Sequence, residues 1–168
     1  MRHIREATPD DAAELIAYVQ ALANEPDIDI PLEPGEFTLT VEQEREFLEG
    51  ATAADNSVFL VAVEDGRIVG ACNVRGGHRR AMRHSASLGI SVAKGWRGQG
   101  IGNALMGRLI EWARRGGVIT RIELLVYCRN ARAIHLYEKH GFEIEGTRRR
   151  AVFQDGEYLD GYTLALLL

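Results

Sequence analysis

Glycines are concentrated in one short segment that joins a strand-like run to a helix-like run. Within "SVAKGWRGQGIGNALMGRL", Arg97 is followed by Gly98, Gly100 and Gly102. Because glycine lacks a Cβ, the chain can turn tightly there and approach a ligand closely. Free N–H groups at a helix start stabilise a phosphate, and arginine adds charge-assisted hydrogen bonds. The segment is a candidate pyrophosphate-binding loop, although a plain strand-to-helix turn has the same spacing.

Two other phosphate-binding motifs fit this segment less well. A P-loop ends in Gly-Lys-Ser/Thr, and "RGQGIGNAL" has neither the lysine nor the magnesium-binding hydroxyl. A dinucleotide fingerprint needs a third glycine three residues after the second, whereas Gly102 comes too early and Gly107 too late. Nucleotide hydrolysis and dinucleotide binding are therefore disfavoured.

A second constellation follows the next predicted strand, in "IELLVYCRNARAIHLYEKHGFEIEGTRR". Together with the glycine segment, it resembles the GNAT superfamily of N-acetyltransferases, and the resemblance runs from about Phe59 to Ala165. The first segment matches the Arg-x-x-Gly-x-Gly signature for acetyl-coenzyme A (acetyl-CoA), and the second matches the Asn…Ala…Leu-Tyr-x-Lys-x-Gly-Phe pattern. The two signatures have the order and separation that are typical of that family.

The resemblance implies which residues bind acetyl-CoA. A splayed strand end would pair with the pantetheine arm, the glycine loop would hold the pyrophosphate, and the next helix would flank the pantetheine. The implied cofactor-binding residues are Ile90, Ser91 and Val92 on the strand, Arg97, Gly98, Gln99, Gly100, Ile101, Gly102 and Asn103 in the loop, and Asn130 and Ala133 at the helix. Tyr137 matches the family's usual general acid, close to the sulfur.

The implied chemistry agrees with these residue types. An amine that attacks a thioester expels a thiolate, which a nearby tyrosine hydroxyl can protonate. Backbone N–H groups can stabilise the oxyanion, so neither a metal nor an enzyme-bound acyl group is required. Alternatives stay open for single residues: Tyr137 could be a core residue, and Asn130 a helix N-cap. Cys128 could be a nucleophile, but we expect a buried small side chain because no base lies nearby in the pattern.

The sequence indicates less clearly which residues would bind and deprotonate the acceptor amine. An acceptor amine must lose a proton before it attacks, so a base or a chain of waters is needed. The candidates are His84 and the acidic residues of the segment between the first two predicted helices: Glu25, Asp27, Asp29, Glu33 and Glu36. Each of these carboxylates is equally compatible with a solvated loop charge.

Composition limits the remaining possibilities. The 168 residues predict one domain, 1–168, and the net charge of −4 does not favour nucleic-acid or membrane partners. Two cysteines without a Cys-x-x-Cys pattern and a start without a long apolar run predict a cytoplasmic, reduced protein. Family members often form dimers, so a homodimer is possible.

Hydrophobic periodicity and turn residues predict the order β-α-α-β-β-β-α-β-α-β-β. At the start of the second helix, Thr40 is the predicted N-cap, and Gln43 is placed to close a capping box with it. The expected fold is α/β: a mixed, mostly antiparallel GNAT sheet with one splayed parallel strand pair, flanked by helices. In the first helix, Ile16, Val19 and Leu22 predict the buried face, and the apolar run "ITRIELLVY" predicts a strand buried on both faces.

The sequence therefore predicts an N-acetyltransferase that moves acetyl from acetyl-CoA to a primary amine of a small molecule, by direct attack in a ternary complex. Two alternatives remain at this stage. One is a non-catalytic CoA-binding or sensing module on the same fold, and the other is a protein N-terminal acetyltransferase.

Overall fold

The computed structural model describes residues 2–26 and 28–168, and the predicted element order is confirmed throughout them. Short 3-10 turns precede the first helix and flank the fourth strand. The strands are β1 (His3–Glu6), β2 (Ser57–Glu64), β3 (Arg67–Gly76), β4 (Ser85–Val92), β5 (Arg121–Tyr127), β6 (Glu143–Gln154) and β7 (Glu157–Leu167). The helices are α1 (Ala12–Ala23), α2 (Val41–Ala53), α3 (Ile101–Gly116) and α4 (Ala131–Lys139).

The strands form one sheet in the order β1-β2-β3-β4-β5-β7-β6. The β4–β5 pair is parallel and the other neighbouring pairs are antiparallel. The parallel pair is connected through α3, because parallel neighbours need a crossover that a hairpin turn cannot supply. The predicted mixed sheet of the α/β class is confirmed.

The sheet has a different pair of helices on each face. Helices α3 and α4 pack on one face, where Leu105, Leu109 and Ile122 are fully buried. Helices α1 and α2 pack on the other face, around Leu15, Leu48 and Val61. In a strand, successive side chains point to opposite faces, so each residue of β4 belongs to one of these two layers.

Two predicted burial patterns are wrong. The buried face of α1 is formed by Leu15, Tyr18 and Leu22 and not by Ile16 and Val19, which are only half-buried. The predicted periodicity was placed one residue out of phase along the helix. In β5, one face is buried as expected, but Leu125 on the other face is 36 % exposed, because α1 and α2 pack over β1 to β3.

The predicted helix starts are confirmed where a side chain caps them. Thr40 and Gln43 form a reciprocal capping box at α2, with the Gln43 N–H donating to the Thr40 hydroxyl at 3.2 Å. At α4, the Asn130 side-chain oxygen accepts a hydrogen bond from the Ala133 N–H at 3.1 Å. These bonds satisfy backbone donors that have no partner inside the helix.

We predict that Asp11→Asn lowers the free energy of unfolding by about 1–2 kcal/mol at pH 7. The Arg5 guanidinium donates two hydrogen bonds of 2.7 Å to the Asp11 carboxylate and is the main cause of its pKa being lowered to about 2. A lowered carboxyl pKa stabilises the folded state above the unfolded pKa of about 4, and this contribution is lost as the pH falls towards 2.

Urea denaturation at pH 7 and at pH 2.5 checks this prediction. The difference between the wild type and the variant should be largest at pH 7 and smaller at pH 2.5. Asp10→Asn is the matched control, because Asp10 pairs with Arg45 at 3.1 Å while 91 % of its side chain is exposed. A control as destabilised as Asp11→Asn would contradict the prediction.

Candidate active site

Strands β4 and β5 separate after a short paired segment. They are paired in register only from Ser85 with Arg121 to Ser87 with Glu123. From Leu88 to Val92, β4 remains paired with β3, but no residue of β5 in the described chain pairs with it. The two strands thus form a cleft that opens towards their carboxyl ends, as predicted for a splayed pair.

The hydrogen-bond pattern of the sheet determines which backbone groups face this cleft. In an antiparallel pair, alternate residues exchange both backbone hydrogen bonds with the partner strand. The Ala93 N–H donates to the Val69 carbonyl at 3.0 Å, so Ser91, two residues earlier, also turns its backbone towards β3. Ile90 and Val92 consequently turn theirs towards the cleft, and among the three predicted strand residues only these two present backbone groups to it.

The glycine segment forms a tight turn onto the start of α3. Gly98 and Gly100 have φ of +78° and +81°, a left-handed conformation that side-chain-bearing residues rarely adopt. Gly100 is the N-cap of α3, where no side chain caps the helix, and the first intrahelical bond is from the Ala104 N–H. The N–H groups of Ile101, Gly102 and Asn103 therefore remain available to an anion.

The Arg97 guanidinium is held by the protein itself. Its Nε donates to the Val92 carbonyl at 2.7 Å, and a terminal nitrogen pairs with the Glu25 carboxylate. The other oxygen of Glu25 accepts a hydrogen bond from the Lys94 N–H at 2.8 Å. Glu25 thus connects the end of α1 to the segment Lys94–Arg97 that leads into the glycine loop, and this contact was not predicted.

The remaining predicted loop residues also have internal partners. The Gln99 side chain accepts a hydrogen bond from Arg2 at 2.8 Å, and Arg2 also lies over the Trp96 ring. The Asn103 oxygen is 3.1 Å from His140 Nε2, which joins α3 to the end of α4. Burial, together with the neighbouring Lys139, lowers the pKa of His140. Because the Gln99 and Asn103 side chains already have partners within the protein, the loop has mainly its backbone N–H groups available for a ligand.

Tyr137 lies on α4 and is directed into the core beneath the cleft. Its side chain is only 7 % exposed and packs against Phe142, with 5.7 Å between ring centroids. Its hydroxyl makes no hydrogen bond to any residue in the ranges 2–26 and 28–168, and since all sealed-off side-chain polar atoms there have partners, this hydroxyl is not sealed off from solvent. Burial, with a smaller electrostatic contribution from Cys72, raises the pKa of Tyr137, so it stays protonated.

Cys72 helps to locate that hydroxyl. Cys72 lies on β3 directly opposite Ile90, and its thiol is completely buried, which raises its pKa. Cys72 and Tyr137 belong to the same buried cluster, and Ile90 packs against it, so the phenol lies on the face of the sheet that carries the Ile90 side chain. We expected Cys128 to be fully buried, but it is only half-buried.

The acidic acceptor candidates are mostly paired. Asp29 accepts a hydrogen bond from Arg129 at 2.8 Å, at the end of β5, and Glu36 accepts one from the Glu33 N–H at 2.7 Å. Glu25 pairs with Arg97 as described, His84 lies at the far, closed end of β4, and Asp27 is outside the described residues. The segment between α1 and α2 therefore contacts both strands of the cleft, Glu25 on the β4 side and Asp29 on the β5 side.

Two properties of the described chain bear on other kinds of site. No helix within residues 2–26 and 28–168 is long and apolar enough to cross a membrane. In the same ranges, no three histidine, cysteine or acidic side chains are grouped so that they could hold a metal ion.

Comparison with known proteins agrees with this geometry. The model of the acetyltransferase (GNAT) family matches residues 15–142, which is more than half of the chain. The chain belongs to the GNAT family of acetyltransferases. The predicted family and the prediction of an acyltransferase are confirmed at that level.

Three known proteins illustrate the relationship. The L-amino acid N-acetyltransferase of Escherichia coli is 42 % identical over 106 residues, which are 63 % of this chain and 65 % of that protein, just under two thirds of its length. A GNAT acetyltransferase of Streptococcus pneumoniae superposes with a TM-score of 0.97 at 37 % identity, over 100 % of both chains. A Salmonella typhimurium protein solved with its cofactor acetyl-CoA has the same fold, with a TM-score of 0.87 at 22 % identity over 100 % of this chain and 94 % of that one.

We predict that Gly100→Ala weakens the binding of acetyl-CoA at least tenfold. A Cβ at Gly100 would meet no atom within 4 Å, so the effect of the substitution comes from the backbone and not from a clash. Alanine adopts a positive φ only at a cost of about 1–2 kcal/mol, and the turn should shift to relieve this strain. Gly66→Ala is the matched control, since Gly66 has φ of +77° and open surroundings in the β2–β3 turn. Calorimetric titration should show a loss of affinity in the first variant only; equal affinities would contradict the prediction.

Proposed function

We propose that this protein transfers the acetyl group of acetyl-CoA to the primary amine of a small molecule, by direct attack in a ternary complex. The observation that carries the proposal is the Tyr137 hydroxyl, which is protonated and has no hydrogen-bond partner among the described residues, beneath a strand whose Ile90 backbone groups have no partner strand on the cleft side. Water or a ligand must bind these groups, so an open cleft lined by them fits a ligand-binding site.

The cleft fits acetyl-CoA in three respects. The outward-facing N–H and carbonyl of Ile90 and the N–H of Val92 suit the amide groups of pantetheine, which would extend β4 on its open side, while the Val92 carbonyl stays bound to Arg97. The bare turn at Gly98 and Gly100 and the free N–H groups of α3 suit the pyrophosphate. Asn130 is the N-cap of α4, and Ala133 lies in its first turn, shortly after the end of β5. Both residues would flank the pantetheine from the β5 side of the cleft.

The protein's own groups suffice for the transfer. When the amine nitrogen bonds to the carbonyl carbon and the carbon–sulfur bond breaks, Tyr137 would give its proton to the departing sulfur. The Ile90 N–H faces the cleft and would donate a hydrogen bond to the oxygen that carries the negative charge. The acceptor's proton leaves to solvent, and Tyr137 is reprotonated from there.

Free amino acids are the acceptors that we propose to test first. The Escherichia coli relative is named as an L-amino acid N-acetyltransferase, and it shares 42 % of its residues with this chain over the matched region. The half-exposed Arg129 guanidinium, which follows β5, binds Asp29 through Nε, so its terminal nitrogens could bind a carboxylate-bearing acceptor. A panel of amino acids, spermidine, an aminoglycoside and a peptide with a free N-terminus, read by the release of free thiol, tests both the activity and the acceptor class.

The panel also discriminates between the proposal and the alternatives. Turnover with the peptide alone would favour an N-terminal acetyltransferase. Acetyl-CoA binding by calorimetry without turnover of any amine would favour a non-catalytic sensing module and would overturn the proposal.

We predict that Tyr137→Phe lowers kcat by roughly 10²–10⁴ while the Kd for acetyl-CoA changes less than twofold. The hydroxyl makes no hydrogen bond within the described residues, so its removal should leave the fold unchanged, as judged by thermal melting. Tyr162→Phe is the control, because Tyr162 is half-buried against the same core from β7. Unchanged turnover in Tyr137→Phe would remove the proposed role of the phenol.

A further inference from the structure

Strand β4 carries polar groups on the face opposite Tyr137. Ile90 and Val92 point to the layer of α3 and α4, so Ser91 between them points to the layer of α1 and α2. Its hydroxyl is 3.0 Å from the hydroxyl of Tyr18, on the inward face of α1. Neither group has a part in the donor site proposed above.

The Tyr18 side chain is fixed and uncharged. It is 6 % exposed, and burial, together with the nearby Glu25 carboxylate, raises its pKa to about 12, although the hydrogen bond with Ser91 and the nearby Arg97 act in the opposite direction. A neutral phenol that donates to Ser91 Oγ leaves that oxygen a further lone pair and a hydroxyl hydrogen that can rotate. Ser91 is only half-buried, so a molecule in the cleft can reach it.

Asn73 supplies a second acceptor on the same face. It lies on β3 directly opposite Gly89, and its Oδ1 is 2.9 Å from where a Cβ on Gly89 would stand. The missing side chain thus leaves the carboxamide room to lean over β4. In residues 2–26 and 28–168 the Asn73 side chain has no hydrogen-bond partner, and because sealed-off polar atoms there are all paired, its amide is accessible to solvent and to a ligand on this face of the sheet.

Ser91 and Asn73 are near enough to share one ligand atom. They are diagonal neighbours on adjacent strands, and such residues are about 7–8 Å apart. At this separation, one ligand nitrogen that lies between the Ser91 and Asn73 side chains can be within hydrogen-bond distance of both.

We propose that Ser91 Oγ and Asn73 Oδ1 bind the two N–H groups of the acceptor's primary amine, and that Tyr18 positions the Ser91 hydroxyl. This inference rests on the proposed function, which it extends to the acceptor half of the site. A neutral primary amine has two N–H donors and one lone pair, so two acceptors on this face leave the lone pair free for the thioester.

The charges around this pair of acceptors favour the reactive form of the amine. Both acceptors are neutral, and the Glu25 carboxylate, which acts on the neighbouring Tyr18, is paired with Arg97. An ammonium ion gains little in a neutral site beside a guanidinium, so its deprotonation is assisted and not opposed. A free carboxylate in the same place would hold the amine in its unreactive, protonated state.

The first experiment is a double-mutant cycle with the amine that the wild type acetylates best. Ser91→Ala and Tyr18→Phe should each lower kcat/KM for the acceptor 10- to 100-fold, and the double variant should be no worse than about the poorer single variant. The Kd for acetyl-CoA should stay within twofold in all three. Ser85→Ala is the matched control, on the same strand and face but at the closed end of the cleft.

The second experiment tests Asn73 with a pair of acceptors, the primary amine and its N-methyl derivative, which has one N–H fewer. Asn73→Ala should lower kcat/KM for the primary amine about tenfold and affect the N-methyl derivative much less. Gly89→Ala, which displaces the Asn73 carboxamide, should act in the same direction.

Each result supports or overturns the inference. Unchanged acceptor kinetics in a single variant, multiplied losses in the double variant, a parallel loss of acetyl-CoA affinity or an unchanged ratio between the two amines would overturn it. A wild type that acetylates no amine would overturn the proposed function and this inference together. A wild type that is active while the variants match it would overturn the inference alone.

Discussion

The divergence of β4 from β5 is the constraint on which the other features of the site depend. Pairing stops after Ser87 and Glu123, so the backbone groups of β4 beyond that point have no strand partner on one side. Such groups are tolerable where water or a ligand reaches them, whereas burying them unpaired would cost about 1–3 kcal/mol each. A site that binds through backbone groups therefore has to stay open in the free protein.

The open end is supported from outside the sheet. Arg97 binds the last carbonyl of β4, and Glu25 holds both Arg97 and the Lys94 N–H. The segment after α1 thus stabilises the loop that leads into α3, while Asp29 of the same segment reaches Arg129 after β5. Glu25 and Asp29 therefore contact the residues that follow β4 and those that follow β5, one on each side of the cleft.

The sequence predicted the parts of this site that depend on local chemistry. Glycines at φ near +80°, the Asn130 cap and the Thr40–Gln43 box are each determined by a few neighbouring residues, so the turns and helix starts were found correctly. The family resemblance then extended these local features to a mixed sheet with one splayed parallel strand pair.

The parts that depend on distant contacts were not predictable in this way. Tyr18 and Ser91 are 73 residues apart and Glu25 and Arg97 are 72 apart, and no spacing rule joins them. A phase error of one residue in α1 was enough to hide Tyr18, because its burial depends on how the helix is rotated against the sheet. The exposure of Leu125 likewise depends on which strands α1 and α2 cover, and the apolar sequence of β5 contains no information about that.

The alternation of side chains along β4 has a further consequence for how this fold tolerates insertions. Inserting or deleting one residue between the closed end at Ser87 and the open end at Val92 would send every later side chain to the opposite layer. Ser91 would then face the layer of α3 and α4, and Ile90 the layer of α1 and α2, even though composition and pairing length were almost unchanged. Only a change by an even number of residues, or a β-bulge that absorbs the extra residue, keeps each side chain in its present layer.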